Sequence, residues 1–237
     1  MTSNIRIRDI DEVAEMRDVE ELQKEVWGIP DLDVVPSTQL VAAKEAGGVL
    51  IGAFDGSTLV GFVYGFPSFE RGQLAHHSHM LAVKPAYRNF DLGRRLKFAQ
   101  RDHVMAQGIE LISWTFDPLQ SLNAHFNFNK LGVIADRYLP DFYGQEAASF
   151  LHQTGTDRLW VSWFVSGERK EPIAGEDQIV IEIPSNINEL MQHSPEAALK
   201  WRAETRRAFM DALKAGYVVT SFVRDQDRGK YLLNRGS

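Results

Sequence analysis

The sequence predicts an α+β fold, and three observations carry the prediction. A helical apolar period runs over 11–27. An Asp55-Gly56 turn separates two apolar runs of strand length. A strand over 76–83 passes through a turn rich in basic residues into a helix over 94–107. These are the periods of a strand hairpin and of amphipathic helices, interleaved along one chain.

The elements follow in order. Residues 5–7 read as a short first strand. In the helix over 11–27, Val13, Met16, Val19, Leu22 and Val26 recur at three- and four-residue spacing, and Gly28 is the stop. A loop with Pro30 and Pro36 leads to a short helix over 38–46. Strands over 49–54 and 59–66 flank the Asp55-Gly56 turn, a strong local hairpin signal. The strand 76–83, a turn over 88–93 and the helix 94–107 come next, with Gly108 as terminator. A strand over 111–116 and a helical segment closing at Gly132 follow. The run over 159–165, with Trp160, Trp163 and Phe164, reads as the last strand of the core and its aromatics as core residues.

Residues 166–177 are polar, charged and broken by Gly and Pro, which marks a linker. The predicted organisation is a core over 1–165, the linker 166–177 and a C-terminal extension over 178–237 packed on the core. That extension reads as strand, helix and two strands, with Ser194 as helix cap, Pro195 in the first turn and Gly216 at the end.

A chain of 237 residues with 44% hydrophobic and 24% charged content suits a globular protein with a sizeable core. No apolar run is long enough to span a membrane. The first residues lead directly into a polar strand without a signal-like apolar segment, so a cytoplasmic location is expected. The absence of cysteine excludes disulfides, a thiolate nucleophile and cysteine metal sites. The net charge of -6 argues against a nucleic-acid partner.

Against that acidic background, Lys84, Arg88, Arg94, Arg95, Lys97 and Arg101 cluster around the turn, with Asp91 as the one acidic residue among them. A turn opening onto a helix N-terminus leaves backbone N–H groups without partners and adds the positive end of the helix dipole, which together favour phosphate.

Residues 81–96 (LAVKPAYRNFDLGRRL) resemble the coenzyme A loop of the GNAT acyltransferases, R/Q-x-x-G-x-G/A after an aliphatic strand. Arg88 and Gly93 match its first and last positions. Asp91 and Asn89 stand where glycines are common, and both residue types tolerate left-handed backbone. Residues 123–132 (NAHFNFNKLG) resemble the next element of that superfamily, N-x-x-A followed by Y-x-K-x-G-F, with Phe128 in place of the tyrosine. The resemblance implies a mixed, mostly antiparallel central sheet flanked by helices and splayed between strands 4 and 5. It also implies an acyl-CoA cosubstrate held by Leu81, Val83, Arg88, Asn89, Phe90, Asp91, Leu92, Gly93, Arg94 and Asn123. The backbone N–H of Leu81 is then the expected donor to the thioester oxygen.

The proton acceptor is read from the run His76-His77-Ser78-His79, whose strand period places His77 and His79 on one face together with Leu81. His77 stands where some relatives carry a glutamate base, and an imidazole of ordinary pKa suits the task near neutrality. Chelation of a metal by His77 and His79 lacks a third ligand, so no metal is expected. Tyr143 or Tyr138 is expected to protonate the leaving thiolate, and His125 and Glu70 are weaker candidates for proton transfer. Asp117 reads as the start of a turn with Pro118, and His103 as structural.

The function expected from the resemblance is N-acylation: an acetyl or other short acyl group passes from acyl-CoA to a primary amine of a small molecule. No nucleic-acid or membrane partner is expected, and homodimerisation is the oligomeric expectation. Succinyl-CoA-dependent acylation of a free amino acid, and a non-catalytic CoA-binding sensor or scaffold, are the alternatives.

Overall fold

The computed structural model describes residues 5–144, 154–166 and 177–235. Of the expected linker, 167–176 lie outside the described residues. The chain forms two compact units, Met1–Ser113 and Trp114–Ser237.

The first unit contains β1 (Arg6–Asp9), α1 (Val13–Trp27), α2 (Ser37–Glu45), β2 (Val49–Asp55), β3 (Thr58–Glu70), β4 (Gln73–Val83), α3 (Leu92–Ala106) and the start of β5 (Leu111–Phe116). The strands lie in the order β1-β2-β3-β4-β5. Pairing is antiparallel as far as β4, and β5 joins β4 in parallel at His76↔Ile112 and His77↔Ser113.

Local chemistry explains the boundaries. Gly28 ends α1 in the left-handed region at φ 63°, and its N–H bonds to Lys24 O at 2.8 Å. Met16, Val19 and Leu22 bury the predicted stripe, whereas Val13 stays exposed. Gln23, fully buried, bonds both backbone groups of Val35 at 2.9 and 3.0 Å and so ties the α1–α2 connection to α1. Gly56 supplies a φ of 63° to the β2–β3 turn. Strands β3 and β4 run longer than expected, to a second turn with Arg71 at φ 52° and Gly72 at φ 82°.

The register between β3 and β4 shifts after Tyr64. Tyr64 pairs with Met80 and Gly65 with Ser78, which leaves His79 as an extra residue on β4. This bulge corrects the expected alternation. Phe62, Tyr64 and Ala82 belong to the core with α1 and α2, and Phe66 and Met80 pack against it. Gly61 and Gly65 face α3, where an added Cβ would lie 3.4 Å from Leu96 and 2.9 Å from Gln100. Leu81 pairs with Val63, on the α3 side, and His77 pairs with Phe66 on the other. The side chains of Leu81 and His77 therefore lie on opposite faces.

The second unit contains α4 (Ser121–His125), which continues as a π-helical turn Phe126–Leu131, then β6 (Ile134–Leu139), β7 (Arg158–Phe164), β8 (Ile179–Pro184), α5 (Ile187–His193), α6 (Pro195–Lys214), β9 (Tyr217–Arg224) and β10 (Arg228–Arg235). Its strands lie in the order β7-β6-β9-β10-β8. Neither β6 nor α5 is apparent in the sequence periodicity. Trp163 is buried and Trp160 half-buried, but Phe164 is 58% exposed and is not a core residue. Ser194 stands at the cap of α6 without a side-chain cap bond; Asn186 caps α5 by accepting from Glu189 N–H at 3.2 Å.

Ion pairs hold α6 within this unit. Arg202, itself buried, donates to Asp117 at 2.7 Å and to Thr154 O at 2.9 Å. Arg206 donates to Asp157 at 2.6 Å and to Asp141 at 2.8 Å. Asp157, with no exposed surface, also accepts from the Tyr138 hydroxyl at 2.5 Å.

Candidate active site

The turn after β4 begins as a 3-10 helix over Pro85–Phe90 and ends at Asp91 in the left-handed region, φ 54° and ψ 24°. Asp91 supplies the geometry that a glycine would otherwise supply. Leu92 and Leu96, both fully buried, anchor the start of α3, and Gly93 in its first turn presents no side chain.

The basic cluster is divided by its contacts. Lys97 is buried, Arg95 donates to Ile5 O at 3.0 Å, and Lys84 pairs with Glu25 at 2.7 Å. Arg101 pairs with Asp102 at 2.8 Å. Arg94 and Arg88 remain at the surface beside the turn; Arg94 Nε donates to Asp91 at 2.7 Å and Arg88 Nε to Val83 O at 3.4 Å. The Asp91 carboxylate is thus paired across the first turn of the helix. Phe90 is 44% exposed, and Tyr87 anchors the turn by donating to Asp55 at 2.8 Å. Backbone N–H groups at a helix start, two surface guanidinium groups and a residue without Cβ fit an anion such as a pyrophosphate.

On β4, His77 and His79 share a face with rings of β3. Phe66 lies 5.6 Å from His77 and 5.7 Å from His79, Tyr64 lies 6.0 Å from His79, and the two imidazoles are 6.2 Å apart, all between ring centroids. Burial, then the neighbouring His79 and Lys97, push His77 down to about 4. Burial also lowers His79, although part of its surface is exposed to solvent. The expectation of an ordinary imidazole pKa at His77 is corrected: the ring is neutral throughout the physiological range.

The opposite face of β4 carries a buried polar strip that sequence reasoning missed. Lys97 Nζ donates to Ser78 Oγ at 2.8 Å and to Gln100 Oε1 at 3.2 Å, and Ser78 Oγ donates to Gln100 Oε1 at 2.8 Å. Gln100 Nε2 lies 3.2 Å from His76 Nε2. Burial, then Lys97, push His76 down to about 3, and burial holds Lys97 well below the usual lysine range. A signal for the strip exists in the sequence: Lys97 and Gln100 fall on the same helical stripe as the apolar Leu96 and Val104.

Leu81 and Val83 are half-buried at the end of β4. Asn123 is exposed on α4, and Tyr143 is exposed with its ring 4.8 Å from Phe142 and 5.0 Å from the Arg158 guanidinium. Thus His77, His79, Leu81, Val83 and residues 88–94 belong to the first unit, and Asn123 and Tyr143 to the second. Phe128 is fully buried, 5.8 Å from the ring of Tyr231. Tyr138 is engaged by Asp157, and burial raises its hydroxyl far above the usual range. Glu70 is buried, and Asp117 accepts from Leu119 N–H at 2.9 Å as the expected turn requires. His125 is half-buried and His103 lies 3.8 Å from Asp9. Among the described residues, no group of three or more His, Asp or Glu could hold a metal ion, and no helix is long and apolar enough to cross a membrane.

The sequence model of the acetyltransferase (GNAT) family matches residues 12–133, more than half of the chain. No curated protein matches the sequence significantly. Among solved structures, an aminoglycoside 6'-acetyltransferase type Ii is similar at a TM-score of 0.55 and 19% identity, covering 69% of this chain and 99% of its own. The ribosomal-protein-S18-alanine N-acetyltransferase from Escherichia coli is similar at 0.55 and 12% identity, covering 70% and 97%. An aminoglycoside 6'-N-acetyltransferase complexed with coenzyme A is similar at 0.52 and 18% identity, covering 70% and 99%.

Proposed function

This chain belongs to the acetyltransferase (GNAT) family, and from that premise we propose that it moves an acetyl or other short acyl group from acyl-CoA to the primary amine of a small molecule. The observation that carries the reading is the turn over 85–93: left-handed Asp91, side-chain-free Gly93 and the surface cations Arg88 and Arg94 at the start of α3. These residues, with the backbone of Asn89, Phe90 and Leu92, would hold the pyrophosphate of the cosubstrate. Leu81, Val83 and Asn123 are assigned to its pantetheine arm by the family resemblance.

In this reading the amine nitrogen bonds to the acyl carbon as the carbon–sulfur bond breaks. The Leu81 N–H polarises the acyl oxygen, a contribution of about 3 kcal/mol for a well-placed donor. His77, neutral down to about 4, takes the proton that becomes acidic as the new C–N bond forms. His79 lies beside it, and Tyr143 is the proposed proton donor to the thiolate.

The test is thiol release from acetyl-CoA with a panel of amines, combined with CoA calorimetry. Gly93→Val should abolish CoA binding in a folded protein. His77→Ala should lower transfer by about a hundredfold with little change in CoA affinity. CoA binding without thiol release for any amine would favour a sensor or scaffold. The buried Phe128, which places no hydroxyl at the usual tyrosine position, is the observation on that side.

A further inference from the structure

We propose, resting on the acyltransferase reading above, that the acceptor is an amine joined by a short linker to an aromatic ring. The face of β3 and β4 that carries His77 also carries Tyr64, Phe66 and His79, so an amine reaching His77 on this face passes a wall of rings. Phe66 and His77 are each half-buried, leaving ring surface accessible, while buried Tyr64 backs the wall.

Strand alternation puts both imidazoles beside Phe66, and the register shift after Tyr64 turns Leu81 to the α3 side, so the aromatic face carries His77 and His79 without it. The environment of the two rings holds them neutral, so they present flat π surface and no fixed positive charge to a carboxylate. Phe66 and His77 centroids are 5.6 Å apart, within the range of stacked or edge-on rings. A substrate ring placed against Phe66 therefore leaves only a short carbon linker between itself and an amine at His77. A free amino acid brings a carboxylate for which this wall offers no fixed positive partner, and an aminoglycoside offers no aromatic ring to stack on it.

The experiment compares kcat/KM for 2-phenylethylamine, hexylamine, a free amino acid and an aminoglycoside with acetyl-CoA as donor. Phenylethylamine should exceed hexylamine by about tenfold, and Phe66→Leu should bring the ratio close to one. In the unmodified protein, 2-phenylethanol should inhibit competitively against the amine and not against acetyl-CoA, a result that does not depend on the variant folding. Equal or better use of the other acceptors, or a lack of inhibition by phenylethanol, overturns the aromatic assignment and leaves the acyltransferase reading standing. Absence of thiol release with every amine overturns both.

Discussion

Gly65→Ala tests the β4 bulge directly. A Cβ on Gly65 would lie 2.3 Å from His76 Nε2, 2.5 Å from His77 O and 2.9 Å from Gln100 Nε2. Ordinary contact begins at 3.4 Å, so atoms must move by about 1 Å, and one of the three belongs to the backbone. Overpacking of this kind costs about 1–3 kcal/mol. If the His76–Gln100 contact at 3.2 Å breaks, the stranded buried groups add about 1–3 kcal/mol. The expected loss is about 3 kcal/mol or more, a large share of the stability of an ordinary domain. Urea unfolding should show the midpoint fall by more than about 1 M for a slope of about 2 kcal/mol per molar. Gly56→Ala is the control: its φ of 63° is unfavourable for alanine, but nothing lies within 4 Å of the new Cβ. It should lose only about 1 kcal/mol. Equal losses in the two variants would refute the close approach of β3 to β4 at Gly65.

Asp91→Gly should tighten CoA binding several-fold in calorimetry, because it removes a carboxylate beside the proposed pyrophosphate site and releases Arg94 from its partner. Weaker binding would mean that the carboxylate holds the turn. Asp157→Asn should destabilise the protein by about 3 kcal/mol in urea unfolding, since buried Asp157 accepts from both Arg206 and Tyr138. His76 and His77 fall from 6.5 to about 3 and about 4 in the folded protein, so the unfolded chain binds more protons below pH 6.5. Their contribution is therefore full above pH 6.5 and declines as pH drops toward about 3; an unfolding midpoint unchanged between about pH 7 and pH 4.5 would contradict the burial of these rings.

What was legible in the sequence was local. Gly28, the Asp55-Gly56 turn and the left-handed tolerance of Asp91 each act through their own backbone angles, and each stands as expected. The stripe of α1 was legible because one helix buries one face. The bulge was not, because it exists only in the register of β4 against β3: the alternation of residues 76–83 read alone puts Leu81 beside His77, and one extra residue reverses that. Phe164 reads as core from its hydrophobicity, which says nothing about which face of β7 is covered. The ion pairs of Arg202 and Arg206 join positions far apart in sequence, and no spacing rule reports them.

The two faces of β4 impose different requirements on adjacent residues. Toward α3, His76 and Ser78 are tied to Gln100 and Lys97 by short-range polar contacts that fix the strand. Toward the other face, His77 and His79 meet aromatic rings and lose their charge to the surroundings. A substitution in the polar strip can therefore shift the imidazole of His77 without touching it, through Lys97, whose charge acts on that ring, and through the backbone of Ser78. Loss of activity in such variants is evidence for a chemical role of His77 only when the conservative replacement at the strip, Ser78→Thr or Gln100→Glu, is compared with His77→Ala in the same pH series. A shift of the acidic limb in the strip variants, against its disappearance in His77→Ala, separates positioning from proton transfer.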